Sequence, residues 1–409
     1  MVTAVALVAG MSACSSPASK TPAASATSSP GAGPTPTAAA AQLFGVLEAR
    51  RCKAPDPAVC ENPGQPAHDT AAIAGLDGFA VAKTTFTPRT VPVIGNAATI
   101  LDLEGQVAAG GLYFIDGKGV VRRLEPGGGV KSVATFAITS PQQSASFAVS
   151  PDGTHLMAAV LTYPSHQDSA DPSQPFGTFT GSWRLELETA TAGGSTSTVK
   201  KWESGSTQYP NGPGGITNMV LAGWDGQGPI VLVHATTGTQ NGWLDNQHWF
   251  AGNLARLHPD GTVGPVIGPA DCLPYWRPVA GRFVCTRAPS GTQSGTPASV
   301  ISLDGSVIWS GVAPTGVSVA GGFALSPDGT RLAMDGQVVT LAGGASLHLP
   351  ATFTPEGWLS TDTIIGLIAG AHTAGTLGVV RTQNPQRAED WGFSGTFVGT
   401  LQASGQAPL

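Results

Sequence analysis

Charge is the first thing this chain has little of. Asp, Glu, Lys and Arg make up 11% of the 409 residues, 26 acidic against 20 basic, for a net charge of −6. No Lys/Arg-rich run appears, so the electrostatic footprint of a nucleic-acid binder is missing. Long hydrophobic runs are missing too. The one apolar opening, residues 2–10, falls well short of the ~20 residues that span a bilayer. Cysteine is sparse at five, without CxxC spacing or a neighbouring His pair, which argues against a zinc site. G-x-S-x-G, P-loop, HExxH and EF-hand patterns do not occur. The eight His are scattered and none is paired at ligand spacing. The chain therefore carries no catalytic signature, and no cofactor or metal is expected.

Glycine (55) and proline (33) are abundant, about a fifth of the chain. That lies below the ~25–30% that signals disorder. With 41% apolar residues the chain has enough to build a core, and short strands punctuated by turns are expected.

The N-terminus reads as an address. Residues 1–13 have the shape of a signal peptide, with a short apolar stretch ending in Met11-Ser12-Ala13 before Cys14. Small residues directly before a cysteine resemble the bacterial lipobox, which implies lipidation of Cys14 and residence on the outer face of the cytoplasmic membrane. Met11 in place of Leu, and the lack of Lys or Arg before the apolar run, depart from that pattern. A basic segment upstream of Met1 is expected for that reason. Residues 14–41 continue as Ser, Ala, Thr, Pro and Gly with Lys20 the only charge, a composition that cannot offset its ordering entropy and reads as a disordered tether. Cys52, Cys60, Cys272 and Cys285 suit an exported chain. The simplest of three pairings joins Cys52 to Cys60 and Cys272 to Cys285.

Residues 42–68 read as a stapled entry segment, opening with a short helix over 41–50 that places Leu43, Val46 and Leu47 on one face. Residues 69–409 read as strand, turn, strand throughout. Phe147-Ala148-Val149-Ser150-Pro151-Asp152-Gly153-Thr154-His155-Leu156 returns as Phe323-Ala324-Leu325-Ser326-Pro327-Asp328-Gly329-Thr330-Arg331-Leu332. Pro presets φ, Asp bonds its own backbone and Gly supplies positive φ, so each unit is a hairpin and the pair signals a repeat. Asp152 and Asp328 are turn residues on this reading. Six four-stranded sets can be laid along the chain, beginning near 99, 146, 217, 276, 322 and 352 and ending near Phe393–Leu401. Four-stranded units arranged in a circle leave only short edges. The expected fold is an all-β propeller of six blades, with residues 77–92 either closing the ring or forming half of a seventh.

The paired F-A-[VL]-S-P-D-G-T-x-L segments resemble the repeat of TolB-type and WD-like β-propellers, in which this motif joins the inner strands of a blade. Weaker echoes stand at Trp224-Asp225-Gly226 and Thr354-Pro355-Glu356-Gly357. The resemblance implies fold, not chemistry.

Among the long loops, 235–250 stands out. Trp243, Asp245, Asn246, His248, Trp249 and Phe250 combine aromatic faces with planar hydrogen-bonding groups, a combination suited to a sugar or a peptide, although the same aromatics would also serve as a local core. Gln208, Tyr209, Asn211, Tyr275 and Trp276 stand on loops that could share its face. Residues 163–171 hold acidic and hydroxyl groups that could receive a cation, though a solvated loop is the simpler reading. The functional expectation is a lipid-anchored, non-enzymatic binding scaffold for an envelope protein, peptide or glycan. The alternative is a hydrolase or lactonase-like enzyme working in the propeller channel.

Overall fold

A computed structural model describes residues 42–49, 68–87, 93–94, 97–98, 105–140, 143–162, 166–167, 179–180, 183–204, 216–235, 253–269, 271–287, 295–313, 322–344, 346–369, 376–392 and 395–401. These residues form seven four-stranded antiparallel sheets with no helix among them. Taken from the innermost strand outward, blade 1 is Gly105–Ala108, Gly111–Ile115, Val120–Leu124 and Val130–Thr135. Blade 2 is Gln143–Val149, His155–Thr162, Trp183–Thr191 and Thr196–Ser204. Blade 3 is Ile216–Asp225, Gly228–Ala235, Asn253–Leu257 and Val263–Val266. Blade 4 is Leu273–Val279, Arg282–Thr286, Thr296–Ser302 and Val307–Ala313. Blade 5 is Phe323–Leu325, Arg331–Met334, Gln337–Thr340 and Leu347–His348. Blade 6 is Phe353–Trp358, Thr363–Ile368, Thr376–Arg381 and Ala388–Asp390. Blade 7 is assembled from both parts of the chain: Gly395–Leu401 lies innermost, followed by Leu43–Ala49, His68–Gly75 and Ala80–Thr85.

The count is thus seven, the larger of the two expected. Two corrections account for it. Residues 393–401 were assigned to the sixth set, but Ala388–Asp390 completes blade 6 and Gly395–Leu401 crosses to pair with Leu43–Ala49. The helix expected over 41–50 is that strand, so the propeller takes in Leu43 rather than starting at 69. Leu43, Val46 and Leu47 have helical spacing, but the run Leu43-Phe44-Gly45-Val46-Leu47 is apolar throughout, as a strand covered on both faces must be. Phe44 and Val46 enter the layer against blade 6, while Leu43 and Leu47 enter the layer against blade 1.

Burial follows the same geometry. Each of the seven buried apolar clusters lies between two neighbouring blades, and together they go once round the ring. The ring therefore has seven thin sheet-on-sheet cores in place of one centre. Every blade is buried on both faces, as apolar sheet packing demands.

Turn chemistry between first and second strands repeats with a period of three blades. Blades 1 and 4 turn on Ala-Gly, with Ala109 and Ala280 held at φ 45° and 51°. Blades 2 and 5 turn on Ser-Pro-Asp-Gly. In blades 3 and 6 a bulge just ahead of Gly223-Trp224 and Gly357-Trp358 introduces the turn. Blades 1–3 and 4–6 thus read as two copies of one triplet, with blade 7 as the closing unit.

Candidate functional site

Adjacent strands run antiparallel, so connections alternate between the two ends of a blade. First-to-second and third-to-fourth turns share one end; second-to-third and blade-to-blade connections share the other. At the first end no connection exceeds six residues, while at the second they reach twenty, between Thr162 and Trp183. The strand ends joined by 50–67, 86–104, 205–215 and 236–252 all stand at this second end. Between strands, one end of the ring carries only tight turns, and every connection longer than six residues stands at the other.

The tight turns are internally bonded. Asp152 Oδ1 accepts from Ser150 Oγ at 2.5 Å, from the Thr154 amide at 3.0 Å and from Thr154 Oγ1 at 2.8 Å. Ser150 Oγ in turn accepts the His155 amide at 2.9 Å. Asp328 repeats the arrangement with Ser326 and Thr330 at 2.5, 3.1 and 2.9 Å. These donors, Ser150 first and then Thr154, hold the Asp152 carboxyl down at about 2. For Asp328 burial acts upward, but the Ser326 and Thr330 donors outweigh it and the carboxyl is also lowered. Gly153 and Gly329 take φ 74° and 65°. A Cβ at Gly153 would also stand 2.5 Å from Tyr113 Oη of blade 1, and one at Gly329 would meet Arg282 of blade 4 at 3.0 Å. Each turn is seated on the preceding blade, and glycine is required twice over.

Other carboxylates are used in the same way. Asp116, almost fully buried and in a short second-to-third connection at the opposite end, accepts the amides of Lys118 and Val120 and Arg122 Nε at 2.9, 3.1 and 3.1 Å. Asp225 forks onto Arg256 with both separations at 2.7 Å. Asp260 and Asp304 cap the amides of Thr262 and Ser306, each at 2.8 Å. One echo of the motif is not a turn. Thr354-Pro355-Glu356-Gly357 lies inside the first strand of blade 6, where a bulge falls between Pro355 and Gly357. The turn of that blade is Ser360-Thr361-Asp362, with Ser360 Oγ donating to Asp362 Oδ1. Sequence reading missed it because the Pro and Gly of the motif are absent, leaving only the Ser-x-Asp spacing.

Polar side chains on inner strands reach across to the next blade. Gln106 of blade 1 accepts the Val149 amide at 2.8 Å and donates to the Val149 carbonyl at 3.3 Å. Ser146 of blade 2 accepts the Leu221 amide at 2.9 Å. Trp358 of blade 6 donates to the Ala324 carbonyl of blade 5 at 2.8 Å, and Glu356 accepts the Phe397 amide of blade 7 at 3.1 Å. Buried polar groups must find partners, and here those partners hold the ring together.

Among the described residues two carboxyls are raised. Burial lifts Glu188 of blade 2, opposed by the Ala137 amide at 3.0 Å, and burial lifts Asp335 of blade 5, opposed by the Gly322 amide at 3.2 Å. They belong to blades three apart, and the fold does not bring them together. Among the described residues no three His, Cys, Asp or Glu side chains gather as a metal site.

Cys272 and Cys285 form a disulfide with Cα atoms 5.3 Å apart, joining the lead-in of blade 4 to its second strand. His166-Gln167, within the acidic loop, pairs with Phe179-Thr180 as a small hairpin. Cys14, Cys52, Cys60, Gln208, Tyr209, Asn211, Trp243, Asp245, Asn246, His248, Trp249 and Phe250 lie outside the described residues. Tyr275 and Trp276 fall in the innermost strand of blade 4, near the end at which the long connections attach.

These blades define the class: a seven-bladed all-β propeller. No family model matches the chain, and no curated protein matches it. Solved structures similar to it include an oligogalacturonate lyase in complex with manganese, at 10% identity over 82% of this chain and 90% of that one, TM-score 0.46. A second oligogalacturonate lyase, from Vibrio parahaemolyticus, shows 9% identity over 80% and 88%, TM-score 0.44. A putative TolB from Agrobacterium tumefaciens shows 11% identity over 87% and 91%, TM-score 0.30. At such identities no activity passes from them to this chain.

Proposed function

We propose that this chain is an exported propeller, held to the outer face of the cytoplasmic membrane through a lipid on Cys14 and a tether of residues 15–41. On this reading it acts as a non-enzymatic binding scaffold for an envelope protein, peptide or glycan. The observation that carries the scaffold reading is the division of the ring between its two ends. The turn end is closed by carboxylates bonded to their own loops, while the other end is where the long connections attach. Binding residues commonly sit on loops positioned by a rigid scaffold. The loop between Ala235 and Asn253, with Trp243 and Trp249, is the first choice for the recognition element.

The test has two arms. Cells fed a fatty-acid analogue should label the protein, and Cys14→Ala should abolish the label; retained label overturns the anchor. Envelope extract passed over the purified chain should yield a partner whose capture is lost in Trp243→Ala and Trp249→Ala, with thermal unfolding unchanged. A fall in unfolding temperature in both variants would instead assign those aromatics to a local core. Turnover of an oligosaccharide or lactone by the purified chain would favour the enzymatic alternative.

A further inference from the structure

Outer strands of a propeller present free sheet edges, and natural proteins protect such edges with charge, proline or shortness. Six of the seven outer strands here follow that rule. Blades 7, 1 and 2 carry Lys83, Lys131 and the pair Lys200 and Lys201 on theirs. The outer strand of blade 3 is four residues long and contains Pro265; those of blades 5 and 6 are two and three residues long. Blade 4 has none of these three, and its one guard is a bulge at Ile308, since Trp309 faces Val300 while Val307 faces Ile301. Its outer strand Val307-Ile308-Trp309-Ser310-Gly311-Val312-Ala313 has seven residues, no charge and no proline. Val307, Ile308 and Val312 are 55%, 42% and 50% exposed, three of the seven large apolar side chains exposed among the described residues.

We infer that this edge is a second interaction surface, which receives an extended, uncharged peptide segment of another protein as a fifth strand of blade 4. Area argues against a second propeller as the occupant. Three half-exposed side chains offer a few hundred Å² at most, against the ~800 Å² per partner of a stable association. An added strand needs far less, because its affinity comes from main-chain hydrogen bonds along the edge, whose regular run Trp309–Ala313 is about 17 Å long for five residues. The lack of charge selects a neutral partner, and the exposed β-branched side chains favour Val, Ile or Thr opposite them. The surface lies on the rim of the ring and does not depend on the loop end.

The probe is a fluorescein-labelled peptide of alternating Thr and Val, titrated with the full chain and read by anisotropy. Binding is expected to saturate and to weaken about ten-fold or more in Ile308→Lys, while Val81→Lys on the outer strand of blade 7 leaves it unchanged. Unaltered thermal unfolding shows that each variant is folded; should Ile308→Lys unfold, Val312→Lys takes its place. Failure of the unmodified chain to saturate, or equal loss in both edge variants, overturns the inference. Sedimentation supplies the other arm: a dimer that Ile308→Lys converts to monomer would make a second copy the occupant and also overturn it.

Discussion

Asp152 is the residue most easily mistaken for chemistry, and its bonds show why it is not. Its carboxylate is fully engaged with Ser150 and Thr154, and it sits near 2 because those donors favour the charged form. A carboxyl whose folded value is depressed contributes stability that is complete above its unfolded value, near 4, and is lost as pH falls from there through about 2. Asp152→Asn should therefore lower the melting temperature most at pH 7, where that contribution is complete, and flatten part of the acid limb below pH ~4, so that the two curves converge toward pH 2. An acid limb identical to that of the unmodified chain would refute the assignment. Gly153→Ala combines a positive φ with a Cβ 2.5 Å from Tyr113 Oη. It should cost about 1–3 kcal/mol in chemical denaturation. Gly193→Ala, at similar φ but with open space around it, should cost less.

At the scale of the strand, the inner edges of the blades are tied by side chains rather than by a shared sheet. Gln106 satisfies both the amide and the carbonyl of Val149 across the gap between blades 1 and 2. Gln106→Ala leaves a buried N–H and C=O without their partner, which costs about 1–3 kcal/mol. Chemical denaturation should show that loss, and a change under half a kcal/mol would mean that solvent reaches the gap. Strand positions were legible wherever apolar runs were bounded by Asp-Gly or Pro-Asp-Gly, as at 111–124 and 323–341. They were misread where one run satisfied two periods. Leu43–Ala49 fits a helix by spacing and a doubly covered strand by composition, and only its pairing with Gly395–Leu401 separates the two.

At the scale of the molecule, the ring is closed by strands from distant parts of the chain, Leu43–Ala49 beside Gly395–Leu401. Removing residues 1–41 should leave the unfolding temperature unchanged, whereas removing 1–50 takes a strand out of the middle of blade 7 and should lower it sharply or abolish cooperative unfolding. Equal stability of the two truncations would return the start of the propeller to residue 69. This closure is long-range in sequence, which is why blade counting along the chain stopped at six. Residues 77–92 looked like half a blade because Ala80–Thr85 is a quarter of one; its hairpin partner His68–Gly75 directly precedes it, and the blade is completed by Leu43–Ala49 and by the distant Gly395–Leu401.

The sequence by itself determined the architecture class. Period-two apolar strands, glycine at positive φ and the returning Ser-Pro-Asp-Gly hairpin are local features, read from a few neighbouring residues at a time. It also named the turn role of Asp152 and Asp328, since an Asx-type turn is built within five residues. Tertiary structure decided what depends on pairing across the chain: seven blades, the strand nature of Leu43–Ala49, the inter-blade bonds of Gln106, Ser146, Glu356 and Trp358, and the placing of the uncharged strand Val307–Ala313 at the outer edge of blade 4. A ring joins its first strands to its last, and hydrogen bonding between residues hundreds of positions apart leaves no periodic mark in the sequence near either of them.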